Sequence, residues 1–131
     1  MSYILKIYPN DSLVIVIYQG KITLDELNET RSKIITHPDY SNDFNGVFDF
    51  RKATKIISTK DLQTLSETIN NQKPAKGKWC SLNSTPYESA LTEILKRKID
   101  KTHPFEVFSS VEAASKYLDT PLSNYFNENN S

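Results

Sequence analysis

Four short segments of this 131-residue chain place a hydroxyl residue three positions ahead of an acid: Thr23 and Glu26, Ser58 and Asp61, Thr85 and Glu88, Ser109 and Glu112. The hydroxyl can accept a hydrogen bond from the first free N–H groups of a helix. The acid can reach back to the capping residue's own N–H. Two of the segments add a hydrophobic staple, Ile22 with Leu27 and Ile57 with Leu62. Each follows soon after a short apolar run of strand character. Repeated strand-then-helix units therefore constrain the fold class, while leaving the chemistry open.

Residues 3–8 are rich in strand formers, and Pro9-Asn10-Asp11-Ser12 makes a turn. Residues 13–18 form a continuous β-branched run, the pattern of a strand buried on both faces, which Gly20 is expected to break. The two runs predict an antiparallel hairpin. A helix follows over 24–36 with Leu24, Leu27, Ile34 and Ile35 on one face, ended by His37-Pro38. Further strands are expected at 47–50, 78–82 and 105–108. A second helix over 59–71 turns Leu62, Leu65 and Ile69 inward. The third starts with Pro86 at its first position and is expected to bury Tyr87, Leu91, Ile94 and Leu95. The last, from Val111 to Leu118, is lined by Val111, Ala114, Tyr117 and Leu118. The order is β-β-α-β-α-β-α-β-α. Strands joined by helices run parallel with right-handed crossovers. The expectation is an α/β fold: a mixed five-stranded sheet with a parallel centre and four helices. Residues 1–120 form a single domain, and the polar, Asn-rich residues 121–131 form a tail expected to fray.

Sixteen basic and sixteen acidic residues cancel, which argues against a general nucleic-acid binder. Cys80 is alone, so neither an internal disulfide nor a thiolate metal cage can form. The first residues lack the basic and apolar regions of a signal peptide, and no apolar run is long enough for stable membrane insertion. A cytoplasmic location is the expectation. Only three glycines exist, so neither a dinucleotide fingerprint nor a phosphate-binding P-loop can be drawn.

The remaining candidates each carry two readings. Ser58 at a helix start is either a plain N-cap or a point where an anion, including a phosphate on the serine itself, is favoured. Asp49 interrupts an apolar strand just before Arg51 and Lys52. It either ties down backbone N–H groups or orients a ligand at the carboxyl end of the sheet. His37 and His103 stand near helix ends and lack metal-ligand spacing. Cys80 reads as a buried hydrophobe. Lys96, Arg97, Lys98 and Lys101 form either a dipole-matched helix end or a patch for an anionic partner.

The order of elements, together with certain short motifs, resembles a STAS-like domain, the sulfate-transporter and anti-sigma-factor-antagonist module. More narrowly, it resembles small bacterial STAS-like proteins grouped with CRAL-TRIO lipid-binding folds. The motifs are residues 18–23 at the first helix start, 37–40 after that helix, 47–51 in the middle strand, and 105–108 running into 111–118. In that family the switch is a phosphorylated serine at the start of the helix after the third strand. Ser58 occupies the matching place, within Ile57-Ser58-Thr59-Lys60-Asp61-Leu62.

The resemblance implies a non-catalytic regulatory or binding module with no cofactor and no metal. It would act through a protein partner or a small apolar or anionic ligand. Its expected surface is Asp49, Arg51, Ser58, Thr59 and Asn83, with Ser58 as the phosphorylation point. A homodimer would cover the sheet edge left by the hairpin. The alternative is a carrier of a lipid or other hydrophobic molecule, motivated by seven Tyr, six Phe and one Trp.

Overall fold

A computed structural model of the chain describes residues 3–126. Strands β1 (Tyr3–Tyr8) and β2 (Leu13–Ile22) pair antiparallel around a single 3-10 turn, Pro9–Asp11. Then come α1 (Leu24–Thr36), β3 (Asn45–Lys55), α2 (Thr59–Asn70), β4 (Trp79–Leu82) and α3 (Pro86–Lys98). The chain continues through β5 (Phe105–Phe108), α4 (Val111–Leu118) and the short α5 (Ser123–Phe126). The sheet order is β1-β2-β3-β4-β5, and every pair from β2 onward is parallel. The mixed five-stranded sheet with a parallel centre is thus what the residue patterns predict.

Each new parallel strand is added on the same side of the last. Crossovers of one hand therefore bring α1, α2 and α3 to one face of the sheet. There Val14, Val16, Tyr18 and Phe50 pack with Leu27, Ile34 and Leu65. On the opposite face α4 and α5 cover Leu13, Ile15, Val47, Cys80 and Leu82. Leu122 and Phe126, inside the segment expected to fray, are buried in this second cluster. The rest of that tail, residues 127–131, lies outside the described residues.

Two of the four helix starts close as full capping boxes, Thr23 with Glu26 and Ser58 with Asp61. The other two depart from the expected pattern. Thr85 caps the Glu88 N–H, but the Glu88 carboxylate turns into the core instead of back to the cap. The last helix is capped by Ser110, whose hydroxyl accepts from the Ala113 N–H, so the cap falls one residue later than the Ser109–Glu112 pattern. A short cap signal is degenerate by one position where two serines adjoin.

Strand lengths differ as well. Gly20 does not end β2: the strand runs through it at φ +73°, a conformation that favours glycine. Alongside, β3 continues to Lys55, and its register with β2 steps from Ile17↔Asp49 to Gln19↔Lys52. Phe50 and Arg51 together therefore face Tyr18, which is a β-bulge on β3. The extra residue reverses the alternation of β3. Phe48 and Phe50 face the α1–α3 layer before the bulge, and Ala53 faces it afterwards. Lys55 follows Ala53 by two and is turned to the same side, its Nζ 4.2 Å from the Phe50 ring centroid.

Candidate functional site

Between the sheet and helices α1, α2 and α3 lies a cavity of about 620 Å³. Its sheet wall is aromatic: Tyr18, Phe48, Phe50, Trp79 and Phe105. Tyr18 stacks on Phe50 with ring centroids 4.7 Å apart, and Phe48 packs against Trp79 at 5.2 Å. Gly46 admits the Trp79 indole, since a Cβ there would lie 2.1 Å from the ring. The helical wall is aliphatic, with Leu27, Ile34, Leu65, Ile69, Leu91 and Leu95. Phe48, Ile69, Leu91, Leu95 and Phe105 are only half-buried although they face the interior of the domain. The two layers stop short of each other, and the vacancy is apolar.

The third helix accounts for part of this. Its inward face was expected at Tyr87, Leu91, Ile94 and Leu95. Leu91 and Leu95 do line the cavity, but the helix's buried residues are Glu88 and Thr92, and Tyr87 is 66% exposed. The helix is rotated so that a carboxylate and a hydroxyl face the sheet, where aromatic bulk would have filled the space. A burial rule based on hydrophobicity fails here because the buried polar groups have partners.

Those partners form a polar cluster where the strands end. Lys55 Nζ lies 3.0 Å from Glu88 Oε1 and donates to Asn83 Oδ1 at 2.9 Å. Asn83 Nδ2 donates to Ser81 Oγ at 3.1 Å, and Thr92 Oγ1 donates to the Glu88 carbonyl at 3.0 Å. Lys55, Asn83, Glu88 and Thr92 are all buried. Burial holds the Lys55 ammonium below its usual range, with Glu88 pulling the other way. Lys55 and Thr92 line the cavity.

A second polar group lies between α1 and α2. The Arg31 guanidinium donates through Nη2 to Gln72 Oε1, joining α1 to the turn that follows α2. Burial lowers the Arg31 pKa. The Tyr18 hydroxyl is fully buried and, like the Trp79 indole N–H, meets no partner at full hydrogen-bond geometry among the described residues. Thr30 stands beside it, but its own hydroxyl donates to the Glu26 carbonyl at 2.8 Å. Burial raises the Tyr18 phenol well beyond its ordinary value, so it is a neutral donor.

The sequence-predicted residues do not meet at one place. Asn83 belongs to the Lys55 cluster. Asp49 is buried on the other face of the sheet, where its two oxygens accept from Arg51 Nε and Nη2 at 2.9 Å each, and Oδ1 also accepts the Arg51 N–H. Arg51 in turn stacks on the Phe126 ring at 5.0 Å, so this pair joins β3 to the C-terminal segment. Ser58 and Thr59 are exposed at the start of α2. Ser58 Oγ accepts from Asp61 N at 3.0 Å, and Asp61 Oδ2 accepts from Ser58 N at 3.1 Å. Ser58→Ala should lower stability by about 1 kcal/mol in urea melts. No change would mean that the cap contributes nothing.

Other candidates have local structural partners or surroundings. His37 Nδ1 accepts the Asp39 N–H at 3.1 Å, and Lys96 pairs with Glu106 at 2.8 Å. Cys80 is fully buried and its thiol is pushed up to about 12 by burial, far from the thiolate a nucleophile needs. Among the described residues no group of three or more His, Cys, Asp or Glu side chains could hold a metal ion. Likewise no helix among them is long and apolar enough to cross a membrane. Arg31, Lys55, Gln72, Glu88 and Thr92 escaped the sequence reading. The one available signal was a pair of polar residues, Glu88 and Thr92, spaced four apart on a helix expected to be inward-facing.

Neither a family model nor a curated protein sequence matches the chain. Solved structures do. The anti-sigma factor antagonist SpoIIAA in its unphosphorylated form matches with a TM-score of 0.52 and 14% identity, covering 89% of this chain and 97% of that one. An uncharacterized protein with a SpoIIAA-like fold from Shewanella loihica matches with a TM-score of 0.55 and 11% identity, covering 88% of this chain and 91% of that one. At such identities the likeness is one of fold, and the fold of this chain is STAS-like.

Proposed function

We propose that this chain is a non-catalytic binding module that holds a small apolar molecule between its sheet and helices α1 to α3. The supporting observation is the cavity of about 620 Å³, walled by aromatic and aliphatic side chains that remain half-buried in the middle of the domain. That volume lies within the ordinary range of ligand sites. Most of the wall is apolar, so an apolar molecule gains more there than water does. This reading favours the carrier alternative drawn from the aromatic content.

The test is direct. A ligand present at about a hundred times its dissociation constant adds about 2.7 kcal/mol of stability. For a domain of this size that corresponds to a rise in melting temperature of about 10 °C. Native mass spectrometry of freshly purified protein should show a bound species, and delipidated protein should gain stability with dodecanol. Leu91→Trp, which fills the space, should remain folded and lose the response. A bare mass together with an unmoved melting curve would reject the reading.

A second reading is regulation through a protein partner at the exposed start of α2. It draws on the likeness to SpoIIAA, an anti-sigma factor antagonist whose structure was solved in an unphosphorylated form. It also draws on the exposure of Ser58. Pulldowns with Ser58→Ala and Ser58→Asp that recover the same partners equally would remove it.

A further inference from the structure

The cavity wall is not uniformly apolar, and its polar groups are unequally satisfied. Lys55 has its charge met by Glu88 and a further acceptor in Asn83. Arg31 has neither. A guanidinium carries five N–H donors. Among the described residues the Arg31 hydrogen bond is to the neutral Gln72 side chain. The four ion pairs found among the described residues, Lys33–Glu29, Arg51–Asp49, Lys55–Glu88 and Lys96–Glu106, do not include it. Arg31 is half-buried, lining this cavity on one side and a shallow groove with Asn28, Ser32 and Gln72 on the other. Arg31, Gln72 and Tyr18 all line the same cavity, and the phenol supplies a fully buried hydroxyl with only Thr30 beside it among the described residues.

Taking the apolar-ligand reading as its basis, we infer that the ligand is a long-chain monocarboxylate, its headgroup held by the Arg31 guanidinium and the Tyr18 hydroxyl and its tail lying along the aromatic wall. The chemistry selects the headgroup. A partly desolvated cation gains from a facing anion, and the planar fork of arginine matches a carboxylate. One uncompensated charge calls for one negative charge. A phosphate monoester carries about −1.5 to −2 at neutral pH and would leave charge over in an apolar site. Lys73 also lines the cavity but is exposed, so water already solvates it. The tail has room: at the roughly 30 Å³ that one water occupies in the liquid, the cavity accommodates about 20 such groups.

The experiment uses the delipidated full chain and the fluorescence of Trp79, the single tryptophan of the sequence and part of the cavity wall. Dodecanoate, dodecanol, methyl dodecanoate and dodecyl phosphate are titrated in turn. Dodecanoate is expected to bind about tenfold or more tighter than the alcohol or the ester, the size of one charge-assisted hydrogen bond. In Arg31→Gln that preference should disappear while dodecanol affinity stays within about twofold. The wild-type comparison requires no mutant to fold. Equal binding of acid, alcohol and ester overturns the carboxylate inference and leaves the apolar site standing. Failure of every ligand overturns both. Tighter binding of dodecyl phosphate replaces the headgroup, and a preference that survives Arg31→Gln removes Arg31 as its anchor.

Discussion

Glu88→Gln and Lys55→Met should each destabilise the protein by about 3–5 kcal/mol, because each leaves a buried polar partner without its complement. The pair is 3.0 Å apart and both side chains are almost wholly out of water. Its other partners, Asn83 and Thr92, are also buried, so no solvent stands ready to replace a missing group. The double substitution Lys55→Met with Glu88→Leu removes both charges at similar volume and should recover most of the loss. Urea melts of the four proteins provide the measurement. Single variants that lose less than about 1 kcal/mol would show that water reaches the pair and that it behaves as a surface ion pair. The outcome also bears on the cavity, since this cluster fixes α3 to the ends of β3 and β4.

Alkaline pH should unfold the protein earlier than a typical domain, with Cys80 responsible for a measurable share. Burial pushes its thiol up to about 12, whereas a cysteine in the unfolded chain titrates near 8.5. The neutral form is the one the fold accommodates. Stability from this group is therefore complete below about pH 8.5 and falls as pH climbs toward the folded value, by about 1.36 kcal/mol per pH unit. Tyr18 acts in the same direction from about pH 10 upward, and Lys55, held low by burial, acts in the opposite one. Cys80→Ala isolates the thiol. Between about pH 8 and about pH 10.5 the wild type should lose about 2–3 kcal/mol more than the variant. Parallel pH profiles would mean that the thiol already meets solvent or a base.

The positions of helices and strands were legible because their signals are local. A hydroxyl three residues before an acid, a proline at a first helical position and a β-branched run act through neighbours in the chain. Signals that depend on a partner far along the chain were not legible. Glu88 stands where a capping acid belongs, yet its oxygen accepts from Lys55, thirty-three residues away, and the helix turns with it. The extension of β3 to Lys55 depends on pairing with β2, and the bulge opposite Tyr18 decides which face Lys55 occupies.

By itself the sequence determined the order of elements and the parallel centre of the sheet, since periodicity and caps are properties of consecutive residues and crossover handedness follows from the order; the STAS-like architecture was what the family resemblance implied. Only the tertiary structure decided that the two layers leave a cavity between them, that Arg31, Tyr18 and Gln72 all line it, and that Asp49 and Arg51 face away from it. The physical reason is that an unfilled space depends on how far two layers stand apart. That distance is set by the buried Glu88–Lys55 pair and the aromatic stacks of the sheet, which join residues no local pattern connects.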